Sequence, residues 1–350
     1  MPTTGAVIIF RLIQTVAFPI ELVGYILFVS KAMLFKRHSG VSMTALAPLY
    51  MRYVRHQLGT KLDEPGVRLM LALPNVSRLG IRLFTGPTVL ASHLTGYVPA
   101  VYRYPYAGKP SVQYESAART AFFDSALSRH LGEIKQFVLL GAGWDTRAYQ
   151  MPKEIRCFEV DMAQTQQTKR AILEKAGLDP TRVTFVPADF LKENWLEKLV
   201  SAGFDPEKLA FFLWEGVTMY LDREAVVQTL RMIANTAAGS VVAFDYFDAK
   251  ILESQSLAMR YTRAVLNATG EPLTFGIKTT PPSSEHVTAF LASCGLSMEE
   301  QCDYGQETDR KHVLGGFVIA VVPTGNERSS SKDGEKRNDG AGDCRRRGTI

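Results

Sequence analysis

The apolar residues of this chain fall into two patterns. In the middle and later parts they form short, mainly apolar runs, without a break in Phe137 to Leu140 and then Cys157 to Val160, Val183 to Val186, LAFFLWEG ending at Glu215, and SVVAFDYF. Runs without alternation are what strands buried on both faces produce. Between them lie segments of helical spacing. These are AQTQQTKRAILEKAG, closed by Gly177, then Trp195 to Ala202, and a helix opened at Leu221-Asp222-Arg223-Glu224 with Asp222 as its cap. A helix over Tyr114 to Leu131 leads directly into the first run. Strand and helix in repeated alternation predict an α/β fold, doubly wound around a mostly parallel sheet.

Outside that alternation the pattern changes. Residues 41 to about 110 read as a helical cap, opened by Ser42 or Thr44 as a helix cap and punctuated by Gly and Pro from Pro65-Gly66 onward. Residues 250–285 interrupt the alternation with a helical, Pro-rich insert, a candidate lid. His286 to Ser293 then reads as helix and His312 to Val322 as a closing strand or hairpin partner. Residues 324–350 hold Gly, Ser and charge with almost nothing apolar, and are expected to be disordered. The expected organisation is a hydrophobic segment over 1–40, a main domain over 41–323 and a tail.

The N-terminal segment is apolar in the other way. Leu12 to Ser30 is 19 residues with one charge, Glu21, flanked by Lys31, Lys36 and Arg37. A bilayer-spanning helix needs roughly 20 apolar residues, so the length suffices. Pro19 and Glu21 stand against it, since a mid-bilayer carboxylate costs about 2.5–3.5 kcal/mol. The leading expectation is membrane association through residues 12–30. A cap helix buried against the main domain, or an interfacial one, is the second reading. A cleaved signal is the third, with Arg11 late and no small-x-small site. If the segment spans, its basic flank places the catalytic domain in the cytosol; otherwise the protein is cytoplasmic.

Composition changes little. Apolar content of 46% and charged content of 21% are those of a globular protein. The net charge of +5 is shared with the tail, where seven basic residues face five acidic ones, so +2 belongs there. No basic–aromatic stripe accompanies it, and nucleic acid is not an expected partner. Cys157, Cys294, Cys302 and Cys344 are scattered, which indicates neither a disulfide framework nor a zinc site, and suggests a reducing compartment.

Chemistry concentrates where the strand runs end. Gly141 and Gly143 follow the first, Asp161 the second, Asp189 the third and Glu215 the fourth. Open α/β sheets bind ligands at the carboxyl ends of their strands. Glycines at such a turn let a ligand approach the backbone, and Asp161 lies about 20 residues past Gly141, where nucleotide folds place a ribose-binding acid. A dinucleotide turn would read G-x-G-x-x-G, but Thr146 occupies the third glycine position beside Asp145. A carboxylate at that helix start repels a pyrophosphate and tolerates an ammonium, so the residues fit S-adenosyl-L-methionine better than NAD. Arg119, ahead of the first strand, is a planar donor suited to a ligand carboxylate. His56 and His93 in the cap read as structural or solvated.

The stretches VLLGAGWDTRAYQM, FEVD and LWEGVTMYL, with the earlier SMTALAPLYMRYV and ARTAFFD, resemble the leucine carboxyl methyltransferases and their bacterial relatives, which include polyketide O-methyltransferases. The likeness runs from about Val41 to Val322. It implies a class I methyltransferase-like sheet with a helical N-terminal cap and a lid insert. It also implies an enzyme using S-adenosyl-L-methionine to methylate an oxygen, a carboxylate or a hydroxyl, of a small-molecule acceptor. By position, the resemblance gives Arg119 to the cofactor carboxylate, Gly141 and Gly143 to the methionine moiety, Asp161 to the ribose hydroxyls and Asp189 to the adenine amino group. Glu215 falls to the ammonium or the mouth of the acceptor pocket. Two departures are Gln150, where relatives carry an arginine, and DEPGVRLML, a loose version of the family's early segment. A carboxylate acceptor needs no general base. A hydroxyl acceptor does, with His93, His130, His286 or an acid of the insert as candidates, and no catalytic residue is assigned. The competing expectations are an NAD(P)-binding oxidoreductase and a binding protein that keeps the fold without turnover.

Overall fold

The computed structural model describes residues 3–39, 45–106, 111, 114–268, 272–305 and 313–324. The Ser42 or Thr44 cap, His312 and the expected disorder of 325–350 lie outside the described residues, as do the side chains of Lys36 and Arg37.

Four helices come first: α1 (Thr4–Ser39), α2 (Leu46–Gln57), α3 (Glu64–Ala72) and α4 (Arg78–Thr95). The middle of the chain supplies α5 (Glu115–His130), β1 (Gln136–Leu140), β2 (Arg156–Asp161), α6 (Ala163–Lys175), β3 (Val183–Pro187), α7 (Trp195–Ser201) and β4 (Ala210–Trp214). The chain closes with α8 (Arg223–Ala234), β5 (Val241–Phe247), α9 (Ala249–Glu253), α10 (Leu257–Ala268), α11 (Ser283–Ser293), β6 (Ser297–Tyr304) and β7 (Gly315–Val321). The strands form one mixed sheet in the order β3-β2-β1-β4-β5-β7-β6. Pairs β2–β3, β1–β4 and β4–β5 are parallel, and β7 runs antiparallel to both β5 and β6. The five strands expected from apolar runs are present, and β1 and β4 are buried at every position, as unalternating runs require. β6 is the strand that the apolar pattern did not announce. Its sequence SMEEQCDY is polar, and it forms on the edge of the sheet against β7, Cys302 opposite Phe317.

The chain packs as two compact units interleaved in sequence. One comprises residues up to 107 with 141–153 and 157–188, and the other 108–140, 154–156 and 189–350. In the first, α3 starts at Asp63, whose side chain accepts from Gly66 N at 2.8 Å. Ser77 caps α4 by accepting from Gly80 N. α1 continues through Pro19 and packs along α4. The two backbones nearly touch, since a Cβ on Gly24 would come within 2.4 Å of Phe84 N.

In the second unit, the insert expected over 250–285 is α9, α10 and an extended stretch before α11, which starts at Ser283 rather than His286. That stretch is fastened to the end of β5: Ile277 N donates to Phe247 O and Ala249 N to Ile277 O. Phe275 and Ile277 are buried.

Candidate functional site

The glycine turn sits in the first unit. Gly141 (φ +67°) donates its N–H to Val160 O at 2.8 Å. Gly143 (φ +43°) donates to Asp161 Oδ2 at 2.8 Å, while Asp161 Oδ1 accepts from Met162 N at 2.7 Å. A left-handed φ at both positions selects glycine, and the acid at the end of β2 locks the turn through its main chain. The structure thus brings Gly143 and Asp161 together. Burial raises the Asp161 carboxyl above its usual range, against the bonds from Gly143 and Met162.

The next residues are held from within the protein. Thr146 is the N-cap residue of the short helical turn Arg147–Gln150; Asp145 before it accepts from Arg147 N at 2.8 Å, and its other oxygen pairs with Arg147 and, at 3.1 Å, with Arg52 of α2. Burial alone would raise this carboxyl; the two guanidinium groups outweigh it and keep it below the ordinary value. Asp145 is therefore not the free carboxylate, repelling a pyrophosphate, that its place in the sequence suggested, because its charge is already neutralised. Thr146 Oγ1 bonds to Asp63, and Arg52 reaches both. The two departures from the family pattern also meet here: Gln150 Nε2 donates to Asp63 Oδ1 at 3.0 Å. Asp63 is 2% exposed and belongs to the segment DEPGVRLML. Behind the turn, Lys169 Nζ lies 2.8 Å from Glu159 Oε2 and donates to Asp145 O at 2.8 Å.

In the second unit, Arg119 projects from α5 into three carboxylates. Its Nη1 is 2.9 Å from Glu115 Oε1, one turn earlier, and 3.0 Å from Asp245 Oδ2 on β5; its Nε is 3.1 Å from Glu215 Oε1, just past β4. Asp245 Oδ1 accepts from Gly216 N at 2.7 Å. Gly216 (φ +72°) turns the chain against the guanidinium, where a Cβ would lie 3.7 Å from Nη2. Burial raises the carboxyls of Glu115 and Asp245, with Arg119 pulling both back. Among the described residues, the ion pairs of this buried cluster set one cation against three acids.

Arg119 and Glu215, expected from sequence, are thus brought together. Glu115 and Asp245 were not expected. Their signals were an acid one helical turn before Arg119 and an acid inside the apolar run SVVAFDYF. Asp189 stands in the turn after β3, where its carboxylate accepts from Leu191 N and pairs with Lys192 at 3.1 Å. Of the candidate bases, His130 lies 3.3 Å from Glu299, His286 is 2.6 Å from Thr280 Oγ1, and His93 is exposed on α4.

Comparison with known proteins bears on the family. The leucine carboxyl methyltransferase family matches residues 105–234. A candidate S-adenosyl-L-methionine-dependent methyltransferase of Mycobacterium sp. (strain KMS) is 34% identical over 243 residues, 68% of this chain and 76% of that protein. Similar candidates from Mycolicibacterium smegmatis and Frankia alni are 33% and 41% identical over 192 and 128 residues, 54% and 35% of this chain. The chain spans 62% and 44% of the length of those two relatives. Identity and coverage together show that the chain belongs to the S-adenosyl-L-methionine-dependent methyltransferases of the leucine carboxyl methyltransferase type.

Proposed function

We propose that the protein is an S-adenosyl-L-methionine-dependent methyltransferase acting on an oxygen, carboxylate or hydroxyl, of a small-molecule acceptor. The observation that carries this reading is the Arg119 cluster, with three carboxylates around one guanidinium. Such a gathering of carboxylates favours a cationic ligand group, and the methionine end of this cofactor bears an ammonium beside its sulfonium. Its carboxylate is assigned to Arg119, a planar N–H donor. Glu215 is assigned to the ammonium and Gly141 and Gly143 to the methionine backbone. Asp161 retains acceptor capacity for the ribose hydroxyls beyond its two main-chain bonds, and Asp189 is assigned to the adenine amino group.

When bound, the cofactor supplies an electrophilic methyl group. The chain's own contribution is positioning, worth roughly 7–11 kcal/mol where the reacting atoms are well aligned. A carboxylate acceptor arrives ionised and asks for no base. The apolar length of α1 supports association with a membrane, with the catalytic units on its cytosolic side.

Calorimetric titration of the full chain with S-adenosyl-L-methionine, its demethylated product and NAD tests the assignment. Micromolar binding of the first two, lost in Asp161→Ala, is expected. Binding of NAD alone would move the protein to the oxidoreductases. Binding of the cofactor without methyl transfer to any acceptor in a panel of carboxylic acids and phenols would point to a non-catalytic role.

A further inference from the structure

α1 is apolar on nearly every side, but only one stripe of it is covered. Its inward positions include Phe10, Gln14, Ala17, Glu21, Gly24 and Phe28, spaced alternately three and four residues apart. Such a stripe is one continuous seam along a helix, and α4 fills it. The single acid of the segment is on that seam. Glu21 accepts from Gln14 Nε2 at 3.1 Å and from Thr88 Oγ1 of α4 at 3.4 Å. The outward positions are uncovered: Val16 is 82% exposed, Leu12 60% and Ile20 51%. Among the described residues, 13 of the 21 exposed large hydrophobic side chains lie on α1 and three more on α4. Monomers seldom show apolar patches larger than a few hundred Å² without a partner for them.

Two observations say what the partner is. First, Arg11 and Lys31 bracket a stretch about 30 Å long whose only other charge, Glu21, is turned inward. Second, both ends of that stretch stay on the same folded unit. Phe10 packs on Tyr97 at 4.9 Å, Phe28 lies 6.0 Å from Tyr50, and Lys31 Nζ donates to Val76 O at 3.0 Å. α2 packs on the same pair, through Tyr50 stacked on Phe84 and 6.0 Å from Phe28. A helix fastened along its length in this way cannot cross a bilayer without tearing the Glu21–Gln14–Thr88 contacts and the Gly24–Gly80 crossing out of the protein.

We propose that α1 lies in the plane of a lipid bilayer, outer face down, and that α4 adds its exposed edge to the same surface. Leu79, Leu90 and Leu94 share one face of α4, one residue and so about 100° around from the Gly80, Phe84 and Thr88 line that meets α1. Exposed Arg11 and Arg78, at opposite ends of the pair, sit where anionic headgroups would meet them. This rests on the membrane association proposed above and changes its geometry from an anchor that spans to a face that rests.

The test uses the full chain in sealed phosphatidylcholine–phosphatidylglycerol vesicles, with Cys344→Ser and single labels at Gly5→Cys or Ser30→Cys. The native Cys157, Cys294 and Cys302 are buried. A membrane-impermeant maleimide is expected to label both positions from outside without detergent. Labelling of one end only until detergent is added would overturn the in-plane placement while leaving membrane association standing. In the second arm, V16E/I20E changes two outward positions and is expected to lower vesicle partitioning roughly 100-fold at unchanged cofactor binding. Failure of the unmodified chain to sediment with vesicles would overturn both readings. A vesicle-free dimer that V16E/I20E dissociates would give the face to a second copy of the chain instead.

Discussion

Replacing Lys169 by methionine isolates the buried pair behind the glycine turn. Lys169 and Glu159 are 1% and 0% exposed, with Nζ 2.8 Å from Oε2. Removing one partner of such a pair leaves an uncompensated charge and costs about 3–5 kcal/mol, whereas replacing both with apolar groups of similar shape is often neutral. K169M should therefore lower the unfolding free energy by that amount at neutral pH, and E159L/K169M should recover most of it. Recovery stays incomplete because Asp145 O still loses its Lys169 donor, a loss of about 1–3 kcal/mol. The pH dependence comes from Glu159. Burial raises its carboxyl to about 7, against the opposing pull of Lys169. A carboxyl raised on folding contributes stability that is fully present below its unfolded value, near 4.5, and is lost as pH rises through about 7. Without Lys169 the carboxyl moves further up, so the loss continues above neutrality. Urea unfolding should then show a K169M penalty that is small at about pH 5 and largest at about pH 8. A penalty that does not change with pH, or a double variant no better than the single one, would refute the reasoning.

Asp245→Asn keeps an acceptor for Gly216 N but turns an amide towards Arg119 Nη1, so cofactor affinity should fall roughly 10–100-fold in titration calorimetry. Unchanged affinity would remove Asp245 from the binding cluster. Gly216→Ala imposes a Cβ at φ +72° and should cost about 1–2 kcal/mol, read as a lower melting temperature. Asp63→Ala removes the acceptor shared by Arg52, Thr146, Gln150 and Gly66 N; a loss of about 3–5 kcal/mol is expected in denaturant unfolding. A silent Asp63→Ala would show that the cap is not held through this residue.

The sheet was readable in the sequence wherever a strand is buried on both faces, because burial on two sides forces an apolar run. β1 and β4 are such strands. β6 was not readable, since an edge strand is specified by its partner: Cys302 and Tyr304 are buried against β7 while Glu299 is exposed. The same limit governs the site. Gly141, Gly143 and Asp161 are neighbours around one turn, and their spacing carries the geometry. Asp145 looked like a free carboxylate although Arg147 is two residues on, because its second partner, Arg52, is 93 residues away. Asp245 was not singled out, because the arginine that accommodates it is 126 residues away. α1 shows a further case. Its composition announced an apolar helix, but only packing shows that Glu21 faces α4 and leaves the outer side without charge.

Charge balance separates the two buried ionic clusters by role. Around the turn, Arg52 and Arg147 meet Asp63 and Asp145, two cations for two anions, and Lys169 meets Glu159 one for one. A balanced buried set needs nothing from outside, and its members fasten α2, α3 and α6 to the loop that carries Gly143. Among the described residues, Arg119 meets Glu115, Glu215 and Asp245, and burial, first, with the neighbouring acids adding to it, raises the carboxyls of Glu115 and Asp245, so their charge is costly to the protein by itself. An incoming ammonium relieves that cost, so part of its binding energy is stored in the cluster beforehand. The cofactor should accordingly bind with uptake of less than one proton at neutral pH and with release of protons at acid pH, where the carboxyls raised by burial become protonated before it arrives. Calorimetry in buffers of different ionisation enthalpy measures both quantities, and the absence of proton release at the lower pH would contradict the assignment of this cluster to a cation.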